Sequence, residues 1–259
     1  MSAVIRRTRD ALPALTLIAA GFGFWEVWVR VRDTPDYVLP PPSQIWTAFA
    51  ERPGLVGHHL ATTLAEAGIG LLIGTSAGVA IAALMATVPL ARQVLGPLVV
   101  ASQTVPMIVL APLLVLWFGY GLTPKVIVVG LITFFPVAIA TLGGLTGAPP
   151  EHVELIEAMG ATELTVLRKV RVPHAIPALF DGLRIAAAYT IAGAVVAEWS
   201  GASRGLGIYL NNSQAAFRVD RVFVGVVVIA VCSTGLFLLV GGLARLVCPW
   251  YYQRERSRA

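Results

Sequence analysis

Long apolar runs separated by short polar breaks organise this chain. Residues 67–88, 93–124, 126–150 and 222–244 contain no Asp, Glu, Lys or Arg. Each exceeds the roughly 20 residues that a helix needs to cross a bilayer core. Two weaker runs, 12–29 and 175–197, are interrupted by Glu26 and by Asp181 and Arg184. Polar and apolar positions do not alternate, so the runs read as helices and not as the strands of a barrel. The pattern therefore predicts an all-α, polytopic membrane protein with six transmembrane helices.

The breaks locate the remaining elements. After a first span at about 12–31, Pro40-Pro41-Pro42 leads to Ser43, a good N-cap for a short surface helix over 43–51. Spans follow at 58–88, 94–118, about 124–147, 177–198 and 221–247. Gly119-Tyr120-Gly121 makes an outer turn, and 201–220 forms an outer excursion with a short helix near 208–216. Between the fourth and fifth spans, 149–173 is a polar, amphipathic island that Val172-Pro173 should terminate. There is no internal repeat and no separate soluble domain, so 1–259 reads as one transmembrane domain with an accessory first span and a core at about 58–247.

Composition agrees with the pattern. The chain is 57% apolar and 13% charged, with a mean hydropathy of +0.78, whereas soluble domains carry about a quarter charged residues. The net charge of +5 is a topology signal and not a nucleic-acid signal. With both termini cytoplasmic, Arg6, Arg7, Arg9, Arg92, Arg168, Lys169, Arg171, Arg245, Arg254, Arg256 and Arg258 fall on the inner side. That bias fits the positive-inside rule, as does an even number of spans. The first run lacks a small-residue cleavage site and is flanked by Trp25 and Trp28, so it reads as an uncleaved anchor. Cys232 and Cys248 have no metal or redox spacing and read as packing residues.

Several residues inside the spans carry candidate chemistry. Gly70, Gly74 and Gly78 put small residues on one helix face, a packing seam in preference to a dedicated dimer contact. Pro97, Pro106 and Pro112 each remove a backbone hydrogen bond from the third span. Freed carbonyls are tolerated at membrane depth where they face protein or a watery cavity. The third span is thus the candidate kinked, pathway-lining helix, with Gln103, Thr104 and Met107 near its kink. Asp181 and Arg184 lie one turn apart, and a structural ion pair near the inner mouth is favoured over a substrate contact. Glu198 closes the fifth span, either at the outer interface beside Trp199 or with a role in an outer gate. Glu66 reads as snorkelling or internally hydrogen-bonded, and the four histidines as surface residues.

The island itself has a clear design. Glu151, Glu154 and Glu157 occupy its first turns and Arg168, Lys169 and Arg171 its end, as the helix dipole favours. Leu155, Ile156 and Met159, then Leu164, Leu167 and Val170, form apolar stripes around a central Gly160. Such a stripe either fills a groove on a partner or packs on the chain's own helix ends. The residues alone leave both open.

The register of Glu154-Leu155-Ile156, Gly160 and Val170-Arg171-Val172-Pro173 resembles the EAA loop of permease subunits of ATP-binding-cassette importers. Leu155 and Ile156 replace the two alanines of that motif, and Val170 and Val172 replace its Ile and Leu. The likeness extends over about 60–247 through Ser102-Gln103-Thr104-Val105-Pro106, Ala111-Pro112-Leu113, Trp117-Phe118-Gly119, Phe134-Phe135-Pro136 and Gly182-Leu183-Arg184. It is similar to the nitrate, sulfonate and taurine group, which includes carriers of thiamine-pyrimidine precursors and riboflavin. The resemblance implies a type I importer fold in a prokaryotic plasma membrane. It also implies that Glu154, Leu155, Ile156, Gly160, Ala161, Val172 and Pro173 belong to a helix coupled to a separate ATPase subunit on the cytoplasmic side. An extracytoplasmic solute-binding protein and a second copy of the permease complete the implied assembly. Gln103, Thr104, Met107, Tyr189 and Glu198 are the candidate translocation residues, and in this resemblance Glu198 is also a candidate for docking the binding protein.

The chain has no GxxxxGK[ST] loop, so ATP belongs to the partner, and no cofactor or metal is expected here. Two rivals remain. A secondary transporter or channel would need an inverted repeat or a buried carboxylate chain, and neither is expected. An intramembrane enzyme would need paired carboxylates, HExxH or a Ser-His set, and none is visible in the spans. No Arg or Lys lines the outer half of a span, which favours an uncharged or heteroaromatic solute over nitrate or a sulfonate.

Overall fold

A computed structural model describes residues 2–251, with side chains of 2–12, 14 and 15 outside the described set. The arginines expected at both ends of the chain therefore lie outside it. The elements are α1 (Ser2–Val31), α2 (Pro42–Glu51), α3 (Pro53–Thr87), α4 (Pro89–Ser102), α5 (Met107–Phe118) and α6 (Leu122–Thr146). There follow α7 (Pro150–Ala158), α8 (Glu163–Val166), a π-helical turn (Leu167–Arg171), α9 (Val172–Glu198), α10 (Leu206–Ala215) and α11 (Val219–Val247). No strand occurs among the described residues.

Among the described residues, α3, α6, the helix Glu163–Glu198 and α11 are each long and apolar enough to cross a membrane. The expected first span coincides with α1. The expected third span is not one kinked helix. It is two helices, α4 and α5, set at 100° to each other and separated by residues 103–106. Pro106 has no N–H to continue α4, and its ring disfavours helical backbone at Val105, so the chain breaks where a kink was expected.

The chain divides into two compact units, Met1–His58 with Tyr209–Val228, and His59–Ile208 with Ile229–Ala259. The first has a core of Ile45, Ala48, Val56, Tyr209 and Val224, with Trp25 packed on Phe223. Ser43 does not cap α2. The cap position is Pro41, and Pro42 begins the helix. Ser43 instead donates its backbone N–H and its hydroxyl to the carboxylate of Glu26, at 3.0 and 2.8 Å. The charge that interrupts the first apolar run is thus met by the N-terminal turn of α2, where free N–H groups favour an anion.

The second unit is built on α6, with α9 packed along most of its length. Contacts from Gly144 to Ala175, Gly182 to Pro136 and Gly193 to Ile132 make the two antiparallel. Gly70, Gly74 and Gly78 of α3 lie against Val129, Gly130 and Thr133, and Phe134 and Ala138 of α6, in parallel register. A Cβ on Gly74 would overlap the Thr133 hydroxyl and the Gly130 carbonyl. The glycine seam is therefore an internal one, and it brings two backbones together in the way small residues permit in lipid.

Pro173 does not end the island. It sits in the first turn of α9, and the helix runs unbroken from Glu163 to Glu198 over 36 residues. The preceding turn widens to π geometry, with the Val172 N–H donating to Leu167 O. A wider turn gives the proline ring room beneath the carbonyls it would otherwise strike.

Candidate functional site

Three features of the second unit bear on function: a hairpin at one end of α9, a concavity along its flank, and a polar knot at its other end.

The hairpin begins at Pro149-Pro150, which start α7, and turns at Gly160 with φ +82°. The Ala161 N–H donates to Ile156 O at 3.2 Å and the Gly160 N–H to Glu157 O at 2.9 Å. These paired bonds form a Schellman cap, which needs a left-handed residue at the position Gly160 fills. The apolar stripes then divide. Val166 is buried and Ile156 half-buried, whereas Leu155, Met159 and Leu164 are 60%, 75% and 54% exposed. Glu154 and Val172 are exposed, and Ala161 and Pro173 half-buried. Thr162 opens α8, so the hairpin's second limb is the foot of the 36-residue helix. At 1.5 Å per residue that helix is a lever of about 54 Å.

The concavity has a volume of about 680 Å³ and is walled by α6 and α9, with the α4–α5 break at its edge. Gln103, Met107 and Tyr189 meet there, beside Phe135, Ile139 and Ile185. No charged residue lines it. Thr104, though adjacent, faces away, and its hydroxyl donates to Ala101 O.

Glu198 does not line the concavity and is not interfacial. It is fully buried, accepting the Thr63 hydroxyl at 2.6 Å and the Gly207 N–H at 2.5 Å. Next to it, Glu66 pairs with Lys125 at 2.5 Å, with both side chains at least nine-tenths buried. Of the two readings of Glu66, snorkelling or an internal hydrogen bond, the structure has the internal one. His59, Thr63 and Glu66 recur at helical spacing on α3, a signal present in the sequence but masked by their position at the edge of an apolar run.

The expected Asp181–Arg184 ion pair is absent among the described residues. Asp181 is exposed, and the Arg184 guanidinium lies 4.5 Å from the centre of the Phe237 ring on α11. Helix α9 turns the two side chains toward different neighbours, and a cation over an aromatic face is the more favourable contact in an apolar setting.

A family model described as the binding-protein-dependent transport system inner membrane component matches residues 70–251. The chain belongs to that family. It is 34% identical over 232 residues to a probable ABC transporter permease protein of Haemophilus influenzae, covering 90% of this chain and 95% of the relative. It is 34% identical over 247 residues to the formylaminopyrimidine transport permease ThiX of Halalkalibacterium halodurans, covering 95% of this chain and 98% of the relative. Identity to the riboflavin transport permease RibX of Chloroflexus aurantiacus is 35% over 231 residues, or 88% and 85% of the two chains. Among solved structures, the inward-facing methionine transporter MetNI aligns at a TM-score of 0.63 and 20% identity, over 71% of this chain and 92% of that one. This last likeness concerns the fold, that of type I importer permeases. As an ATP-binding-cassette importer permease, the chain supplies the lipid-embedded part of a transporter.

Proposed function

We propose that this permease forms the route for a small, uncharged heteroaromatic solute and is driven by a separate ATPase subunit that seats on the 150–173 hairpin. The observation that carries the coupling is the pairing of three exposed apolar side chains, Leu155, Met159 and Leu164, with direct helical continuity from Glu163 to Glu198. A groove that grips the first is rigidly joined to the wall of the concavity. ATP-driven approach of two such hairpins, one from each of two copies of this chain, would rock α9 as a body and open the route outward. With both termini cytoplasmic the hairpin lies on the ATPase side. The opposite end of α9 then faces an extracytoplasmic binding protein. The chain makes no bond to the nucleotide and performs no chemistry of its own.

The solute class is supported by wall chemistry. Tyr189 and Phe135 offer ring faces, Gln103 offers one amide, and no cation is present to hold a sulfonate or nitrate. Relatives named for a pyrimidine and a flavin, at 34% and 35% identity, support this class, and those named for taurine and aliphatic sulfonates, at 31% and 29%, define its competitors.

Vesicles containing the permease and its ATPase, supplied with the binding protein, test both parts. Uptake should depend on ATP, should favour pyrimidines or flavins over taurine and nitrate, and should vanish in the Leu155→Glu/Met159→Glu variant together with ATPase co-purification. ATP-independent uptake, or a variant that retains its ATPase, would overturn the coupling. Preference for taurine or nitrate would overturn the solute class.

A further inference from the structure

The break between α4 and α5 leaves peptide groups with nothing to bond. The Gln103 N–H closes on Val100 O at 3.1 Å and the Thr104 N–H on Ala101 O at 3.0 Å, and there the ladder of α4 stops. Ser102 O would next accept from residue 106, which is a proline and has no N–H. The following ladder starts only at Pro106 O, which accepts from Val109 and Leu110 at 2.9 and 3.1 Å. Among the described residues, nothing donates to the carbonyls of Gln103, Thr104 and Val105, and the Val105 N–H donates to nothing. The Ser102 and Thr104 hydroxyls do not serve either, since both turn back onto α4, to Val99 O and Ala101 O.

The depth of the break gives these groups a role. It borders the concavity of about 680 Å³ through Gln103, Val105 and Met107. The α6 residues of the same concavity, Ile132, Phe135 and Ile139, come from the middle of a 25-residue helix and so lie near the bilayer midplane. Free peptide groups at that depth persist only where they face protein or line a cavity whose contents bond to them. Discontinuous helices in other kinds of transporter place such backbone at the solute site. The side chains of the concavity offer little of this kind: among its lining residues only Gln103 and Tyr189 carry a polar side chain, one amide and one hydroxyl. Backbone therefore supplies most of the hydrogen-bonding surface. It brings carbonyls at Gln103, Thr104 and Val105, and N–H groups at Val105 and in the unpaired first turn of α5, Met107 and Ile108.

We propose that the α4–α5 break is the hydrogen-bonding element of the solute site, an inference that rests on the concavity being the route. The break presents carbonyl and N–H groups together, as a peptide edge does. It selects a ring whose own edge places an N–H next to a carbonyl or a ring nitrogen: a lactam, a ureide or an aminopyrimidine. A methyl group on that N–H removes a bond and sets bulk against the break.

Vesicles holding the permease, its ATPase and the binding protein test this with two probe pairs: riboflavin with its ring-N-methylated derivative, and an aminopyrimidine with its dimethylamino derivative. Pro106→Ala supplies the N–H that Ser102 O lacks and draws the break toward helix. It should cut the preference for the N–H-bearing member by about five- to tenfold, the worth of roughly one hydrogen bond. Pro112→Ala, inside α5, should keep the parental preference. The binding protein is the same in every arm, so its own selectivity cancels. Equal preference in the parent and Pro106→Ala would overturn the inference. Uptake of neither riboflavin nor the aminopyrimidine by the parent is a different failure, which would strike the solute class and this inference with it. Should Pro106→Ala not accumulate, the parent decides. Gln103-Thr104 is the sole Gln-Thr pair in the chain, so isotope labels on Gln carbonyl carbon and Thr nitrogen give one backbone signal in lipid bilayers. The carried probe should move that carbonyl resonance downfield, and its methylated partner should not. No movement, or the same movement with both, would overturn the assignment.

Discussion

The Lys125 ammonium meets the Glu66 carboxylate at 2.5 Å, joining the first turn of α6 to the middle of α3 in a place where both side chains are shut away from solvent. Removing one member of such a pair leaves an uncompensated buried charge, at a cost of about 3–5 kcal/mol. Lys125→Met should therefore lower the unfolding midpoint of the detergent-solubilised protein sharply. Lys169→Met, on the exposed face of the hairpin, should leave it unchanged. Equal midpoints for the two variants would show that the buried pair does not stabilise the fold.

The α3–α6 seam makes a paired prediction. A Cβ at Gly74 would stand 2.5 Å from the Gly130 carbonyl oxygen, and backbone cannot step aside. Gly68, on the same helix, has nothing within 4 Å of the corresponding point. Gly74→Ala should cost about 1–3 kcal/mol as overpacking, and Gly68→Ala should be neutral or slightly stabilising, as measured by thermal unfolding. Equal midpoint changes at the two positions would mean that close backbone approach at Gly74 does not govern this seam.

At the hairpin, Gly160 has open space around its missing Cβ but a φ of +82°. The cost of a side chain there is conformational and not steric. Gly160→Asn, which tolerates left-handed backbone, should retain most of the uptake. Gly160→Val should lose at least tenfold with unchanged membrane insertion, and Gly160→Pro should abolish uptake. Uptake by Gly160→Pro at the parental rate would remove the turn from the coupling mechanism.

Within the concavity, Tyr189 is 62% exposed and contributes a ring face that a planar solute can stack upon. Stacking of this kind is worth about 0.5–1.5 kcal/mol, so Tyr189→Ala should reduce uptake about two- to tenfold, and Tyr189→Phe much less. Thr104→Ala, outside the concavity, should behave as the parent. A Tyr189→Ala transporter with full activity would shift the route elsewhere.

The spans, the hairpin and the glycine seam were legible because each rests on local pattern. An uncharged run of 20 or more residues has little choice in lipid but to be a helix. The turn at Gly160 follows from one residue's freedom. Gln103, Met107 and Tyr189 were selected from two separate helices by their polarity or their nearness to a proline, and the fold does bring them to one wall. The errors have a common physical source. Pro106 signals a missing hydrogen bond but not the 100° angle between α4 and α5, which the packing of those helices on α6 decides. Asp181 and Arg184 satisfy the spacing for a pair, but Phe237 lies on another helix.

Membrane character, the positions of the helices and their polar interruptions follow from the chain alone, because backbone groups in hydrocarbon have only their own helix to bond with. Which buried charges meet depends on helices far apart in sequence: Glu66 with Lys125 across 59 residues, and Thr63 with Glu198 across 135. No periodicity encodes such distances. Only the parallel packing of α3 on α6, and the antiparallel packing of α9, carries those groups to the same level and forces them to share hydrogen bonds that water would otherwise supply.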